Sequence, residues 1–121
     1  MKIGLVAHDS KKKLMQSFCI AYWRTLSKHE LYATGTTGRI IETANLSVYK
    51  YLPGYLGGSQ QLVAQIEDKE IDLVIFLRNP LQPKTHEPDV NSIVKICDTY
   101  NVPLATNLAT AKLLIRSLDR R

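Results

Sequence analysis

The sequence predicts an α/β fold, a three-layer, doubly wound five-stranded parallel sheet with helices on both faces. Short apolar runs alternate along the chain with segments whose apolar residues recur at helical spacing. The run Leu73–Leu77 is apolar at every position, which is typical of a central parallel strand that is buried on both faces. No Pro/Ser-rich linker or internal repeat divides the chain, so we expect residues 1–121 to form one domain.

The first elements follow from patterns near the N-terminus. Ile3–Ala7 is a continuous apolar run and predicts the first strand, and helical spacing predicts a helix over about Leu14–Lys28. Glu30–Thr34 predicts the second strand. The residues 35–38 then predict a loop, and Ile40–Ala44 predicts a short helix after it.

The second half of the chain continues the alternation. Val48–Leu52 predicts a weaker third strand, and apolar spacing predicts a helix over about Ser59–Lys69. Beyond the strand at residues 73–77, a helix is predicted over about Val90–Cys97. Val102–Ala105 predicts the last strand and Ala109–Leu118 the last helix.

Composition narrows the classes of partner. The net charge is +5, but the basic residues are scattered apart from Lys11–Lys13, and no aromatic residues interleave with them as a nucleic-acid platform requires. No apolar run approaches the roughly 18 residues of a membrane span. Cys19 and Cys97 lie far apart without a CxxC partner, which is typical of a reduced protein. We therefore expect a cytoplasmic protein with no nucleic-acid or membrane partner.

Polar or glycine-rich residues follow each predicted strand. His8 and Asp9 follow the first strand, Thr34–Thr37 close the second, and Arg78 and Asn79 follow the fourth. Ligands of doubly wound sheets bind at the carboxyl ends of the strands, near the point where the strand order reverses. The sequence therefore predicts one polar pocket at this edge.

The segment Thr34–Gly38 and the lysines at positions 11–13 favour an anionic ligand. Backbone N–H groups at a helix N-terminus bind phosphate, and lysines there are unfavourable for the helix unless an anion offsets them. The alternative interpretation is an ordinary turn with threonine caps beside a solvated cluster of charges.

Two histidines lie near carboxylates. His8 precedes Asp9, and His86 lies in a loop with Glu87 and Asp89, so either histidine could serve as acid, base or electrophile. Zinc is a less favoured reading, because no closely spaced histidine pair is present, and we expect no metal. Ser59 follows two glycines without a GxSxG motif, and its simplest role is the N-cap of the next helix.

Five segments carry a family resemblance, and they extend in order across the chain: LVAHDSKK, LYATGTTG, GYLGGSQQ, HEPDV and PLATNLATA. In this combination the chain resembles the methylglyoxal synthase family. The resemblance implies a doubly wound fold and a lyase that converts dihydroxyacetone phosphate to methylglyoxal and inorganic phosphate without a cofactor. It also implies a homohexamer. The same domain type serves as a regulatory module in carbamoyl phosphate synthetase and in purine-biosynthetic cyclohydrolase.

The resemblance also implies roles for individual residues. His86 would hydrogen-bond the oxygens of an enediolate, while Asp9 and Asp89 would orient groups in the site. The residues implied to hold the substrate and its phosphate are His8, Lys12, Thr34, Gly35, Thr36, Thr37 and Gly54.

Three positions depart from the family pattern. The family motif GGDQQ, whose aspartate is the catalytic base, is GGSQQ here with Ser59 at the base position. Pro53 replaces a serine of the phosphate loop and removes a hydroxyl and an N–H. Asn79 stands where the family usually has an aspartate.

Two hypotheses follow from this pattern. The first is a working synthase of reduced rate, in which Asp9, Asp89 or a water held by Ser59 takes the proton. The second is a non-catalytic homologue that binds or senses a triose phosphate or phosphate. A third reading, a nucleotide-regulated module, would require a larger pocket.

Overall fold

In the computed structural model, which describes residues 1–53, 56–81 and 90–119, five parallel strands form a sheet. The strands are β1 (Lys2–Ala7), β2 (Glu30–Ala33), β3 (Tyr49–Lys50), β4 (Leu73–Leu77) and β5 (Leu104–Ala105). Their order across the sheet is β3-β2-β1-β4-β5, and each neighbouring pair is parallel. The predicted doubly wound sheet is therefore confirmed.

Six helices connect and cover the strands among the described residues. They are α1 (Lys12–Ala21), α2 (Trp23–Leu26), α3 (Gly35–Thr43), α4 (Gly58–Glu67), α5 (Val90–Tyr100) and α6 (Leu108–Leu118). The 3-10 turn Asp9–Lys11 joins β1 to α1.

Each face of the sheet carries its own apolar core because successive side chains of a strand point to opposite faces. Ile3, Leu5 and Ala7 of β1 pack in one core with residues of α1, α3 and α6. Val6 of β1 packs in the other core with Phe76 of β4 and residues of α4 and α5. The buried β4 is apolar at all positions for this reason.

Several predicted boundaries differ from the structure. The predicted helix over Leu14–Lys28 is interrupted at Tyr22, whose backbone leaves the helical region at φ −110° and ψ 25°. The Tyr22 ring packs on Phe18 at a centroid distance of 5.2 Å, whereas the Trp23 indole N–H donates to the carbonyl of Asn45. These two contacts fix the chain at the break.

The predicted loop over residues 35–38 is wrong, because these residues form the first turn of α3 directly after β2. Thr34 alone makes the transition, in an extended conformation. Two strands are also shorter than predicted. At the sheet edge, β3 pairs only with Tyr32 and Ala33, and β5 begins after Pro103, which has no N–H for the ladder.

The strand order reverses between β1 and β4. The connections from β1 lead through β2 to β3 on one side, whereas β4 leads to β5 on the other. The carboxyl ends of β1 and β4 therefore border the crevice in which ligands of such sheets bind.

Candidate active site

The segments that follow β1 and β4 are hydrogen-bonded to each other at this crevice. The backbone N–H of His8 donates to the carbonyl of Leu77 at 2.9 Å and extends the pairing of the two strands by one residue. Beyond it, the Asn79 side-chain amide donates to the Ser10 hydroxyl at 3.1 Å. The structure thus brings His8 and Asn79 to the same edge, as the sequence predicts.

The imidazole of His8 is buried and fixed in orientation. Its Nδ1 accepts the backbone N–H of Ser10 at 2.9 Å and lies 2.8 Å from the Ser10 hydroxyl. An Nδ1 that accepts an amide N–H carries no hydrogen, so the neutral ring has its hydrogen on Nε2. Asn79, Ser10 and His8 therefore form a chain of contacts that sets the histidine tautomer.

Lys12 places a cation at the carboxyl end of β1. Its ammonium group donates to the carbonyl of Ala7 at 3.0 Å and lies 3.3 Å from a carboxylate oxygen of Asp9. The Lys12 side chain is only 17% exposed, whereas that of Asp9 is 53% exposed. The lysine is therefore held against the sheet edge, while its carboxylate partner lies at the surface.

The start of α3 is bonded to the end of β1. The buried Thr37 hydroxyl oxygen accepts the backbone N–H of Ala7 at 3.3 Å, and the Thr34 hydroxyl donates to the same oxygen at 3.4 Å. Both threonines are buried, with 3% of Thr34 and 0% of Thr37 exposed to solvent. The predicted phosphate segment thus lies beside the segment that carries His8 and Lys12.

Two backbone donors are open at the start of α3. Gly35 donates to the carbonyl of Leu52 and Gly38 to that of Thr34, but the N–H groups of Thr36 and Thr37 have no partner among the described residues. An N-cap side chain commonly accepts these donors, and here Thr34 makes no such bond. The helix dipole and the two open N–H groups together favour an anion at this position.

Helix α4 begins against the same segment. The N–H of Gly58 donates to the carbonyl of Pro53 at 3.1 Å, and a Cβ on Gly58 would overlap the carbonyl oxygen of Leu52. Gly58, the residue before Ser59, therefore lies against Leu52 and Pro53, and Leu52 in turn bonds to Gly35 at the start of α3. The predicted N-cap role of Ser59 is wrong: Gly57 is the N-cap, with a left-handed φ of 103°, and Ser59 is the second helical residue.

Two cavities open along this edge of the sheet. One of about 340 Å³ is lined by Gly35, Thr36, Arg39, Lys50, Tyr51, Leu52, Pro53 and Gln61. The other, of about 350 Å³, is lined by Lys11, Leu14, Leu77, Arg78, Pro80, Thr106, Asn107 and Leu108. The first cavity contains two residues of the predicted phosphate segment, and both cavities carry basic side chains.

Three predicted site residues, Gly54, His86 and Asp89, lie outside the described residues. Within residues 1–53, 56–81 and 90–119, no cluster of three or more His, Cys, Asp or Glu side chains is arranged to hold a metal ion. The helices of this same part of the chain include none that is long and apolar enough to cross a membrane.

The two cysteines lie in the cores, away from this edge. Burial raises the pKa of the Cys19 thiol to about 12, and burial together with the charge of Asp98 raises that of Cys97 to about 11. Both thiols therefore stay protonated at neutral pH, and neither supplies a thiolate nucleophile.

A doubly wound parallel sheet with a lysine at the carboxyl end of β1 and an open helix N-terminus after the neighbouring β2 defines an α/β protein suited to a small anionic ligand. The chain belongs to the MGS-like domain family, which it matches over residues 19–106. Relatives named methylglyoxal synthase are 56–60% identical to the chain over nearly its whole length, so its function is of the methylglyoxal synthase type.

Named relatives cover nearly the whole chain. Methylglyoxal synthase from Caldicellulosiruptor saccharolyticus is 60% identical over 121 residues, which cover 99% of this chain and 86% of that protein. The enzyme from Listeria welshimeri is 56% identical over 120 residues, covering 98% of this chain and 90% of that protein. The crystal structure of methylglyoxal synthase from Elizabethkingia anophelis superimposes with a TM-score of 0.91 at 39% identity, covering 94% of this chain and 76% of that one.

Sequence patterns alone missed two parts of this site. Ser10 fixes the His8 tautomer, and Gln61 accepts the N–H of Leu52 at 2.7 Å. Gln61 belongs to the GGSQQ segment, but the sequence does not show which backbone group its side chain binds.

Proposed function

We propose that the protein is a carbon–oxygen lyase that converts dihydroxyacetone phosphate to methylglyoxal and inorganic phosphate. The observation that carries this proposal is the open N-terminus of α3 beside Lys12, at the carboxyl edge of a fold shared with a solved methylglyoxal synthase structure. The relatives are named as synthases, so the non-catalytic alternative is not favoured.

The substrate phosphate would bind at the start of α3. The open N–H groups of Thr36 and Thr37 supply donors, and Lys12 supplies the positive charge. Family resemblance adds Thr34, Gly35, Gly54 and His8 as further contacts. A fixed cation and prearranged N–H groups would also stabilise the phosphate as a leaving group.

The reaction begins when a base removes a proton from the hydroxymethyl carbon. The C–H electron pair forms the enediolate double bond, and His86 would hydrogen-bond the enediolate oxygens by family resemblance. The enediolate then expels phosphate with the electron pair of the C–O bond. The remaining enol gains a proton at carbon and becomes methylglyoxal.

The base is the position at which this chain departs from the family. Ser59 cannot act as the family aspartate does, and loss of general-base catalysis lowers rates by about 10²–10⁴-fold. We propose that Asp9, Asp89 or a water held by Ser59 takes the proton at a reduced rate. Support for Asp9 comes from its position, within 3.3 Å of the Lys12 ammonium.

We also propose that residues 1–121 form one domain in a cytoplasmic homohexamer. One sheet draws strands from Lys2 to Ala105, which supports the single domain. Ile20, Trp23 and Leu113 expose apolar side chains that an oligomer would cover, which supports association.

The decisive experiment measures phosphate release from dihydroxyacetone phosphate by the purified protein and by Ser59→Asp. We expect slow turnover by the unmodified protein and at least a tenfold gain in Ser59→Asp, because the carboxylate restores a strong base. Ser17→Asp, an exposed serine of α1, is the matched control and should leave the rate unchanged. No turnover by either the unmodified protein or Ser59→Asp would contradict the proposal.

A further inference from the structure

Two glutamines of α4 hold the segment that follows β3. The side-chain oxygen of Gln61 accepts the backbone N–H of Leu52 at 2.7 Å, and that of Gln65 accepts the hydroxyl of Tyr51. Residues four apart lie on one face of a helix, so both glutamines reach the same side of α4.

The opposite side of this segment is bonded to the start of α3. The carbonyl of Leu52 accepts the N–H of Gly35 at 3.2 Å, and the N–H of Tyr51 donates to the carbonyl of Ala33 at 2.7 Å. Leu52 therefore has its N–H bound by α4 and its carbonyl bound by the first residue of α3. A displacement at one bond moves the partner of the other.

We propose that Gln61 is a positioning residue that fixes the N-terminus of α3, and hence the phosphate-binding donors, through Leu52. This inference rests on the proposed function, since it assigns the start of α3 to the substrate phosphate. A misplacement of about 1 Å in a binding group costs on the order of 10²-fold in rate, so one anchoring hydrogen bond has a measurable effect. Gln61 itself lines the 340 Å³ cavity beside Gly35 and Thr36.

A purely structural role for Gln61 would leave a different signature. Its side chain is exposed and fills no core, whereas the apolar core on this face uses Leu62 and Ile66 of the same helix. Replacing Gln61 should therefore change the local order of Leu52 and the affinity for phosphate, with little change in the midpoint of thermal unfolding.

The test compares Gln61→Met with Gln60→Met, its exposed neighbour on α4, by amide hydrogen exchange and by titration with inorganic phosphate. In Gln61→Met we expect the Leu52 amide to exchange about fivefold faster or more, as the loss of one hydrogen bond implies. We expect the Kd for inorganic phosphate to rise about tenfold and the unfolding midpoint to stay within about 2 °C. Gln60→Met should change none of the three.

The conservative variant Gln61→Glu retains an acceptor oxygen and should restore slow exchange at Leu52. Unchanged exchange at Leu52 in Gln61→Met, an unchanged phosphate Kd, or equal effects in Gln60→Met would each overturn the positioning role. Neither readout needs turnover. Failure of the lyase proposal would instead appear as an unmodified protein and a Ser59→Asp variant that both bind phosphate but release none from the substrate.

Discussion

Helices α3 and α6 both begin at the carboxyl edge of the sheet, yet their first turns are finished differently. In α6 the side chain of Asn107 accepts the N–H of Thr110 at 3.0 Å, so the chain caps its own helix. In α3 the N-cap Thr34 makes no such bond, because its hydroxyl donates to Thr37 instead. In α6 a side chain therefore binds the third N–H of the helix, whereas in α3 no side chain among the described residues binds the N–H groups of Thr36 and Thr37.

Helix α4 resembles α3 in this respect. Its N-cap is Gly57, which has no side chain to cap the helix. A capping side chain is typically worth about 1 kcal/mol, so α3 and α4 each forgo a stabilisation that α6 keeps. An anion bound at the uncapped starts would offset that cost, and the segment 51–53 joins the two starts.

The largest expected effect tests the approach of α4 to Leu52. In Gly58→Ala the new Cβ would overlap the Leu52 carbonyl oxygen and lie 2.9 Å from its carbon, so the Leu52–Pro53 peptide or the start of α4 must shift. We expect kcat/KM to fall about 100-fold, measured well below the unfolding midpoint.

Gly57→Ala is the control, because it strains the backbone at φ 103° while its new Cβ does not contact Leu52. It should destabilise the fold by about 1–2 kcal/mol and keep kcat/KM within about threefold. Equal activity in the two variants would show that the close approach of Gly58 to Leu52 does not position the site.

A smaller effect separates the two kinds of helix start directly. Thr34→Ala should raise the KM for dihydroxyacetone phosphate about tenfold, since hydrogen bonds to charged groups contribute about 1.5–3 kcal/mol. Asn107→Ala should lower the free energy of unfolding by about 1 kcal/mol and leave KM within about twofold, because it removes only a cap.

Steady-state kinetics and urea unfolding of both variants check this contrast. If Asn107→Ala raised KM as much as Thr34→Ala, the start of α6 would belong to the substrate site, and the distinction between the two helices would be wrong.

The centre of the sheet was predictable from sequence because β1 and β4 are continuous apolar runs. The predicted strand Leu73–Leu77 has the same bounds as β4. The alternation of strands and helices correctly predicted a doubly wound parallel sheet. The errors lie where tertiary contacts decide local structure. The packing of Tyr22 on Phe18 accompanies the break in the first predicted helix. The glycine-containing segment 35–38 is helical because it follows β2 directly and belongs to a helix that packs against α1 and β3.

Within the site, sequence predicted the residues at strand ends better than the contacts between them. His8, Lys12, Thr34 and Thr37 meet at one edge because parallel strands share a direction. Gly57 displaced Ser59 from the N-cap, and the paired glycines do not show which residue begins the helix. The sequence also gives no signal for the hydrogen bond between Gln61 and Leu52, since the two residues meet only when α4 packs against the segment that follows β3.

The central claim is that phosphate binds at the uncapped start of α3. We would titrate the ¹⁵N-labelled protein with inorganic phosphate and follow the backbone amides of the first turns of α3 and α6. We expect the largest shifts on Thr36 and Thr37, whose N–H groups are open, while Thr110, whose N–H is bound by the Asn107 side chain, stays unmoved. Unmoved amides at Thr36 and Thr37 under saturating phosphate would contradict this claim.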